Sequence, residues 1–143
     1  MGDLGKAIAI AATAFKDKKD KGGKPYILHC LHVMNKVSHL GEEAMIIAVL
    51  HDLVEDCSDE GYTLLFLLKE GFSSNVVRIL TLLTHQKDVP YMDYIKALSI
   101  DPIAKEIKKE DIKHNSDITR LKGLRKKDFD RLEKYINAFT YLN

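Results

Sequence analysis

Residues 42–56, EEAMIIAVLHDLVED, constrain the fold more than any other stretch. Met45 to Leu50 is an unbroken apolar run, and Leu53 and Val54 carry it on. A helix that is apolar nearly all round belongs at the centre of a bundle, where every face meets a neighbour. Yet the run ends in His51-Asp52 and Glu55-Asp56, groups that repel one another and prefer water. The spacing predicts one continuous helix over 42–56. On it His51 and Glu55 stack four apart, as do Asp52 and Asp56, in two adjacent rows. Carboxylates aligned this way destabilise a helix unless a cation or a proton intervenes. A divalent metal supplies that charge.

Helical spacing recurs on either side of this segment. Leu4, Ala7, Ile8, Ala11 and Phe15 mark a first helix, which the charged, Gly-Gly stretch KDKKDKGGK interrupts. Pro25 is placed to open a second helix, because its missing N–H costs nothing in a first turn. Leu28, Leu31, Val33 and Val37 lie along it. Thr63 and Ser73 stand where N-caps are wanted, Pro90 precedes another apolar repeat, and Asp101-Pro102 opens a long helix. Phe129, Leu132, Tyr135, Ile136 and Phe139 close the chain with an amphipathic helix. Strand-like alternation is scarce. The expectation is an all-α, compact bundle of about seven or eight helices, with residues 1–143 forming a single domain.

The 143 residues suffice for one domain with a real core. Apolar residues make up 45%, charged residues 30%, and the net charge is +1. That balance argues against disorder and against a field strong enough to hold nucleic acid. The basic stretch RLKGLRKKDFDR is interspersed with acids and reads as a connection between helices. No apolar run approaches the roughly 20 residues that cross a bilayer. No basic stretch precedes the first apolar segment, so no signal peptide is read. Gly2 follows Met1, but Lys6 stands where a myristoylation signal takes Ser or Thr. Cys30 and Cys57 make no disulfide framework, which points to a reduced, cytoplasmic setting. The expected partner is a small molecule rather than a membrane or a nucleic acid. The oligomeric state is left open.

Two further stretches complete a polar set. PYILHCLH brings His29, and EDIKHNSD brings Asp111 and Asn115, four apart on the long helix. His29, His51, Asp52 and Asp111 then form two imidazoles and two carboxylates drawn from three helices. Mixed N/O ligation suits a divalent ion, with Mn²⁺ the first choice and Fe²⁺ or Zn²⁺ the alternatives. Such a centre leaves room for water and a substrate oxygen, as hydrolysis requires. A bland reading makes His51-Asp52 a buried hydrogen-bonded pair, but four such groups converging without a cation incur desolvation and repulsion. His32 and His114 read as supporting or surface groups, and His39 and His85 carry no signal. Lys16, Lys18, Lys19, Lys21 and Lys24 either grip phosphates or form a solvated loop. Tyr91 and Tyr94 either edge a nucleotide pocket or simply pack.

GGKPYILH, then HDLVED, then DIKHN, in that order, resemble the HD-domain metal-dependent phosphohydrolases. More narrowly, they are similar to the small alarmone hydrolase and Rel/Spo-type hydrolase group, over residues 4–121. The resemblance implies that His29, His51, Asp52 and Asp111 ligate the metal. It implies that Glu55 and Asp56 orient or deprotonate the attacking water, and that Asn115 lies beside the substrate's sugar or phosphate. Lys21 matches the family's lysine and, with Lys18 and Lys24, is expected to bind substrate. The base-side motif departs from the pattern: Asp20 stands where an arginine is expected to stack on guanine, and Asp117 where another arginine often follows His-Asn. The implied function is a (p)ppGpp 3′-pyrophosphohydrolase. The alternatives are a nucleotidase or other phosphomonoesterase, and a metal-stabilised nucleotide-binding domain without turnover.

Overall fold

The computed structural model describes residues 3–143, so Gly2, considered above for acylation, lies outside it. The chain runs α1 (Asp3–Ala14), α2 (Ile27–Lys36), α3 (Glu42–Leu50), α4 (Leu53–Cys57), α5 (Leu64–Lys69), α6 (Ser74–Leu83), α7 (Tyr91–Leu98), α8 (Pro102–Asn115) and α9 (Lys126–Leu142). Short 3₁₀ turns fill 38–40, 58–60 and 118–120. The all-α expectation holds among the described residues, and α3 and α4 counted as one bent helix give eight.

Helix α3 is the axis of the bundle. Ala44 and every residue from Ile46 to Leu50 are buried, and α1, α2, α6 and α8 pack against it. Phe15, Leu80, Ile107 and Leu142 are among the large side chains sealed from solvent around it. Each fully buried Leu, Ile or Phe is worth about 1.5–3 kcal/mol of transfer free energy, so the all-apolar α3 is where burial is densest. Local capping sets several helix starts. The Thr63 hydroxyl accepts from the Phe66 N–H at 3.1 Å, and the Ser73 hydroxyl accepts from the Val76 N–H at 3.1 Å. The Asp101 carboxylate takes the Ile103 and Ala104 N–H groups at 2.9 and 3.0 Å, with Pro102 in the first turn. Such caps contribute about 1 kcal/mol each.

Three local expectations change. Pro25 does not enter α2, which begins at Ile27; it pairs with Lys19 in an isolated bridge that closes the lysine-rich loop. On α9 the buried residues are Asp128, Ala138 and Leu142, while Phe129 and Ile136 are exposed. The continuous helix expected over 42–56 is broken. Helix α3 stops at Leu50, and Asp52 sits at φ −100° and ψ −2° before α4 begins. Consecutive residues of a regular helix diverge by about 100° and cannot aim at one point. The break turns His51 and Asp52 to the same side, where their reactive atoms lie 3.1 Å apart.

The loop between α1 and α2 docks on the 3₁₀ turn at 118–120. A β-carbon at Gly22 would collide with the Arg120 carbonyl, so the close approach requires glycine. Asp20 locks the same contact. Its carboxylate accepts from the Gly22 and Lys24 N–H groups, both at 2.9 Å, and from the Arg120 guanidinium at 3.1 Å.

Because Ile47 is fully buried on the central helix, Ile47→Ala is expected to cost about 2–5 kcal/mol. Urea unfolding followed by circular dichroism measures it, and a loss below 1 kcal/mol, within the range of surface substitutions, would show that α3 is not the packing centre.

Candidate metal centre and adjoining cleft

The break after α3, the first turn of α2 and the C-terminal part of α8 meet at one corner. His29 Nε2 lies 2.9 Å from Asp111 Oδ1 and 3.6 Å from Asp52 Oδ2. His51 Nε2 lies 3.1 Å from each of the same two carboxylate oxygens. All four ligand atoms fall within 4.8 Å of one another. Ligands about 2.1 Å from an ion are spaced about 3.0–3.4 Å at right-angle or tetrahedral corners; the two His51 edges, at 3.1 Å, fall in that range, and the His29 edges, at 2.9 and 3.6 Å, lie on either side of it. The donor set is two imidazoles and two carboxylates, and it fits a divalent ion of intermediate hardness.

Neighbouring groups hold each of these side chains in a ligating orientation, as metal sites require. His51 Nδ1 donates to the Ala48 carbonyl at 2.6 Å, which turns Nε2 toward the corner. His29 Nδ1 lies 2.7 Å from His114 Nδ1, and His114 stacks on His32 with ring centroids 3.8 Å apart. Burial, the Arg120 charge and the adjacent imidazoles push the His114 pKa down to about 4. A neutral His114 is free to accept the His29 Nδ1–H. Tyr26 donates to Asp52 Oδ2 at 2.5 Å, and its own ionisation is pushed up by burial and by Asp52. Asp111 Oδ2 takes the Lys108 ammonium at 2.9 Å, and Asp111 Oδ1 takes the Asn115 amide at 3.0 Å.

The electrostatics follow from this packing. Burial alone would raise the Asp111 pKa, but Lys108 and the two imidazoles hold it well below the usual carboxylate range. Burial alone would lower the His51 pKa, but Asp52 and Asp111 outweigh it and hold His51 well above its ordinary value. Two acids thus draw positive charge into the corner, from a proton or from a metal.

The corner opens into a cleft of about 180 Å³ whose lining includes Glu55, Asp56, Lys108 and Lys134. Glu55 is pinned, since one carboxylate oxygen accepts the His85 N–H at 2.8 Å. Enclosure, then the Asp52 and Glu55 carboxylates, pushes Asp56 up to about 7. A second cavity of about 300 Å³ holds Lys21, Asp20, Arg120 and Arg131. Tyr26, Asn115 and Tyr135 line both spaces and join them.

The expected site residues therefore divide. His29, His51, Asp52 and Asp111 converge; Glu55 and Asp56 flank them, and Asn115 and Lys21 line the joined cavities. Lys18 turns instead to Glu60 at 2.6 Å, and Lys24 is exposed and lines neither cavity. The sequence reading missed Tyr26 as a partner of Asp52 and Lys108 as a partner of Asp111. Both carried a helical signal, three residues before His29 and three before Asp111.

Comparison with known proteins agrees with this geometry. The HD domain family matches residues 7–126. A guanosine-3′,5′-bis(diphosphate) 3′-pyrophosphohydrolase of Aquifex aeolicus (strain VF5) is 33% identical over 91 residues, covering 62% of this chain and 12% of the relative. The chain thus spans a small part of the curated relative it matches. A solved structure from work on a metazoan ortholog of SpoT that hydrolyzes ppGpp superposes with a TM-score of 0.78 at 19% identity, over 99% of this chain and 85% of that one. That likeness establishes the fold. With the family match spanning most of the chain, this protein belongs to the HD domain family.

Proposed function

We propose that the chain is a divalent-metal-dependent phosphohydrolase acting on a nucleotide-like phosphate or pyrophosphate ester, with (p)ppGpp 3′-pyrophosphate the leading substrate group and Mn²⁺ the leading ion. One observation carries the reading: His29, His51, Asp52 and Asp111 gather at the base of a cleft flanked by Glu55 and Asp56. The 3′-pyrophosphohydrolase activity of the Aquifex relative supports the substrate assignment. When bound, a divalent ion would make water more acidic and offset charge on a phosphoryl oxygen.

The remaining roles belong to the chain's own side chains. Glu55, fixed to the His85 N–H, orients the attacking water. Asp56 accepts its proton, since a carboxyl pushed up to about 7 exchanges protons near neutral pH. Tyr26 and Asn115 line the passage between the two cavities, beside the sugar. Lys21 supplies positive charge to the outer space. The two free, buried thiols support residence in a reducing cytoplasm.

A second reading, a nucleotidase or other phosphomonoesterase, is favoured by Asp20, which stands where the alarmone pattern has arginine. Arg120 nonetheless brings a guanidinium to the same wall, held by Asp20 at 3.1 Å and by the His114 carbonyl at 2.7 Å. Product analysis of ppGpp, pppGpp and common nucleoside mono-, di- and triphosphates with Mn²⁺ separates the two readings. Saturable binding with no product at high protein concentration would instead indicate a sensor.

Asp52→Ala is expected to lose bound Mn²⁺ and turnover together. Glu55→Ala is expected to keep the ion and lower kcat by about 10²–10⁴-fold. Metal analysis beside steady-state rates tests both, and Mn²⁺ loss in Glu55→Ala would reverse the assigned roles. Ligation also requires His51 to shed its proton. In the metal-free protein its raised pKa stabilises the fold fully below the unfolded value of 6.5, and that contribution disappears as pH rises through the folded value. Mn²⁺ is therefore expected to raise Tm more at about pH 8.5 than at about pH 6. An equal or smaller increment at the higher pH, measured by scanning calorimetry, would contradict ligation by His51.

A further inference from the structure

Lys108 and Lys134 both line the metal-side cleft, and only one of them is answered by an acid. Lys108 pairs with Asp111 at 2.9 Å. Lys134, exposed on α9, forms no ion pair among the described residues. Its ammonium rests 4.5 Å from the centroid of the Tyr91 ring and 5.2 Å from that of Tyr135. Partial burial and the charges of Lys108 and Arg131 lower its pKa, while Glu55 alone among the leading influences favours the charged form. The Tyr91 hydroxyl is shut off from solvent and has no hydrogen-bond partner. A buried hydroxyl without a partner is unfavourable and is relieved by any acceptor that reaches it. The Lys134 ammonium, without an ion-pair partner among the described residues, lies over the ring of this same tyrosine, in the cleft that Glu55 and Asp56 also line.

We propose that Lys134 and Tyr91 form an anion subsite for the second phosphate of a diphosphate group whose first phosphate lies at the metal corner. The proposal rests on the phosphohydrolase reading above and narrows it from phosphate esters to diphosphate esters. Lys134 is long and solvent-facing. Its swing toward an arriving phosphate makes one charge-assisted hydrogen bond and uncovers Tyr91, whose hydroxyl donates a second. Orthophosphate fills the metal corner alone and leaves this subsite untouched. Pyrophosphate reaches both.

The test is calorimetric titration of the full chain, with Mn²⁺ present, by inorganic pyrophosphate and by orthophosphate. Lys134→Ala is expected to weaken pyrophosphate by about 10-fold or more, the worth of one charge-assisted hydrogen bond, and orthophosphate far less. Tyr91→Phe weakens pyrophosphate in the same direction, and Lys134→Arg retains most of the affinity. Circular dichroism and Mn²⁺ content verify each variant. Wild-type protein that binds pyrophosphate no better than orthophosphate, or Lys134→Ala that binds it as tightly as wild type, overturns the subsite. The two readings fail separately. Lysine-dependent pyrophosphate binding in a wild-type protein that hydrolyses no nucleotide sinks the reaction and leaves the subsite. Active wild type with unchanged binding in Lys134→Ala sinks the subsite and leaves the reaction.

Discussion

Two carboxylates held within 4.8 Å of each other, on Asp52 and Asp111, set the terms for the rest of the molecule. Asp111 is buried, and Asp52 is largely covered. Their repulsion, in a setting where water screens poorly, has to be met by charge or by hydrogen bonds. Lys108, Tyr26, Asn115 and two imidazoles meet it, from α2, the α3–α4 joint and α8. These partners come from segments remote in sequence, so the centre exists only when the bundle has closed. The apolar α3 carries one half of it into the interior, and the break at Asp52 bends it into place.

The division between what the chain announces locally and what only packing decides is plain in particular residues. Thr63, Ser73 and Asp101-Pro102 marked helix starts because capping is a contact between near neighbours. His51 and Asp52 were legible because an imidazole and an acid close an otherwise apolar run, while His29 and Asp111 were legible through the PYILH and DIKHN stretches that carry them. The break after Leu50 was not legible. No Gly or Pro marks it, and the apolar spacing runs straight through 51–52. The pairing of Lys18 with Glu60 was not legible either, because the two residues are remote in sequence. Lys134 lies beyond the stretch that resembles the family, on a helix whose pattern says only that it is amphipathic.

The outer cavity shows how one scaffold can keep the corner of His29, His51, Asp52 and Asp111 while its outer walls change. Asp20 alone looks like a lost arginine. In the fold it recruits Arg120 from the opposite segment, so the wall keeps a guanidinium of different origin. Lys134 above Tyr91 is likewise a cation delivered from the C-terminal helix. Arg120 and Lys134, the two cations that face these cavities from the C-terminal part of the chain, lie at a distance in sequence from His29, His51 and Asp52.

Gly22 has no side chain to offer any ligand, yet it is the point where the lysine-rich loop touches the Arg120 backbone. Any larger residue there would lever the loop outward and carry Lys21 away from the cavity it borders, with the metal corner left intact. A larger residue at this position would therefore reshape the cavity that Lys21 borders without touching any of the four residues of the corner. A site can be sterically indispensable and chemically mute, and such sites are the ones an inspection of reactive groups passes over.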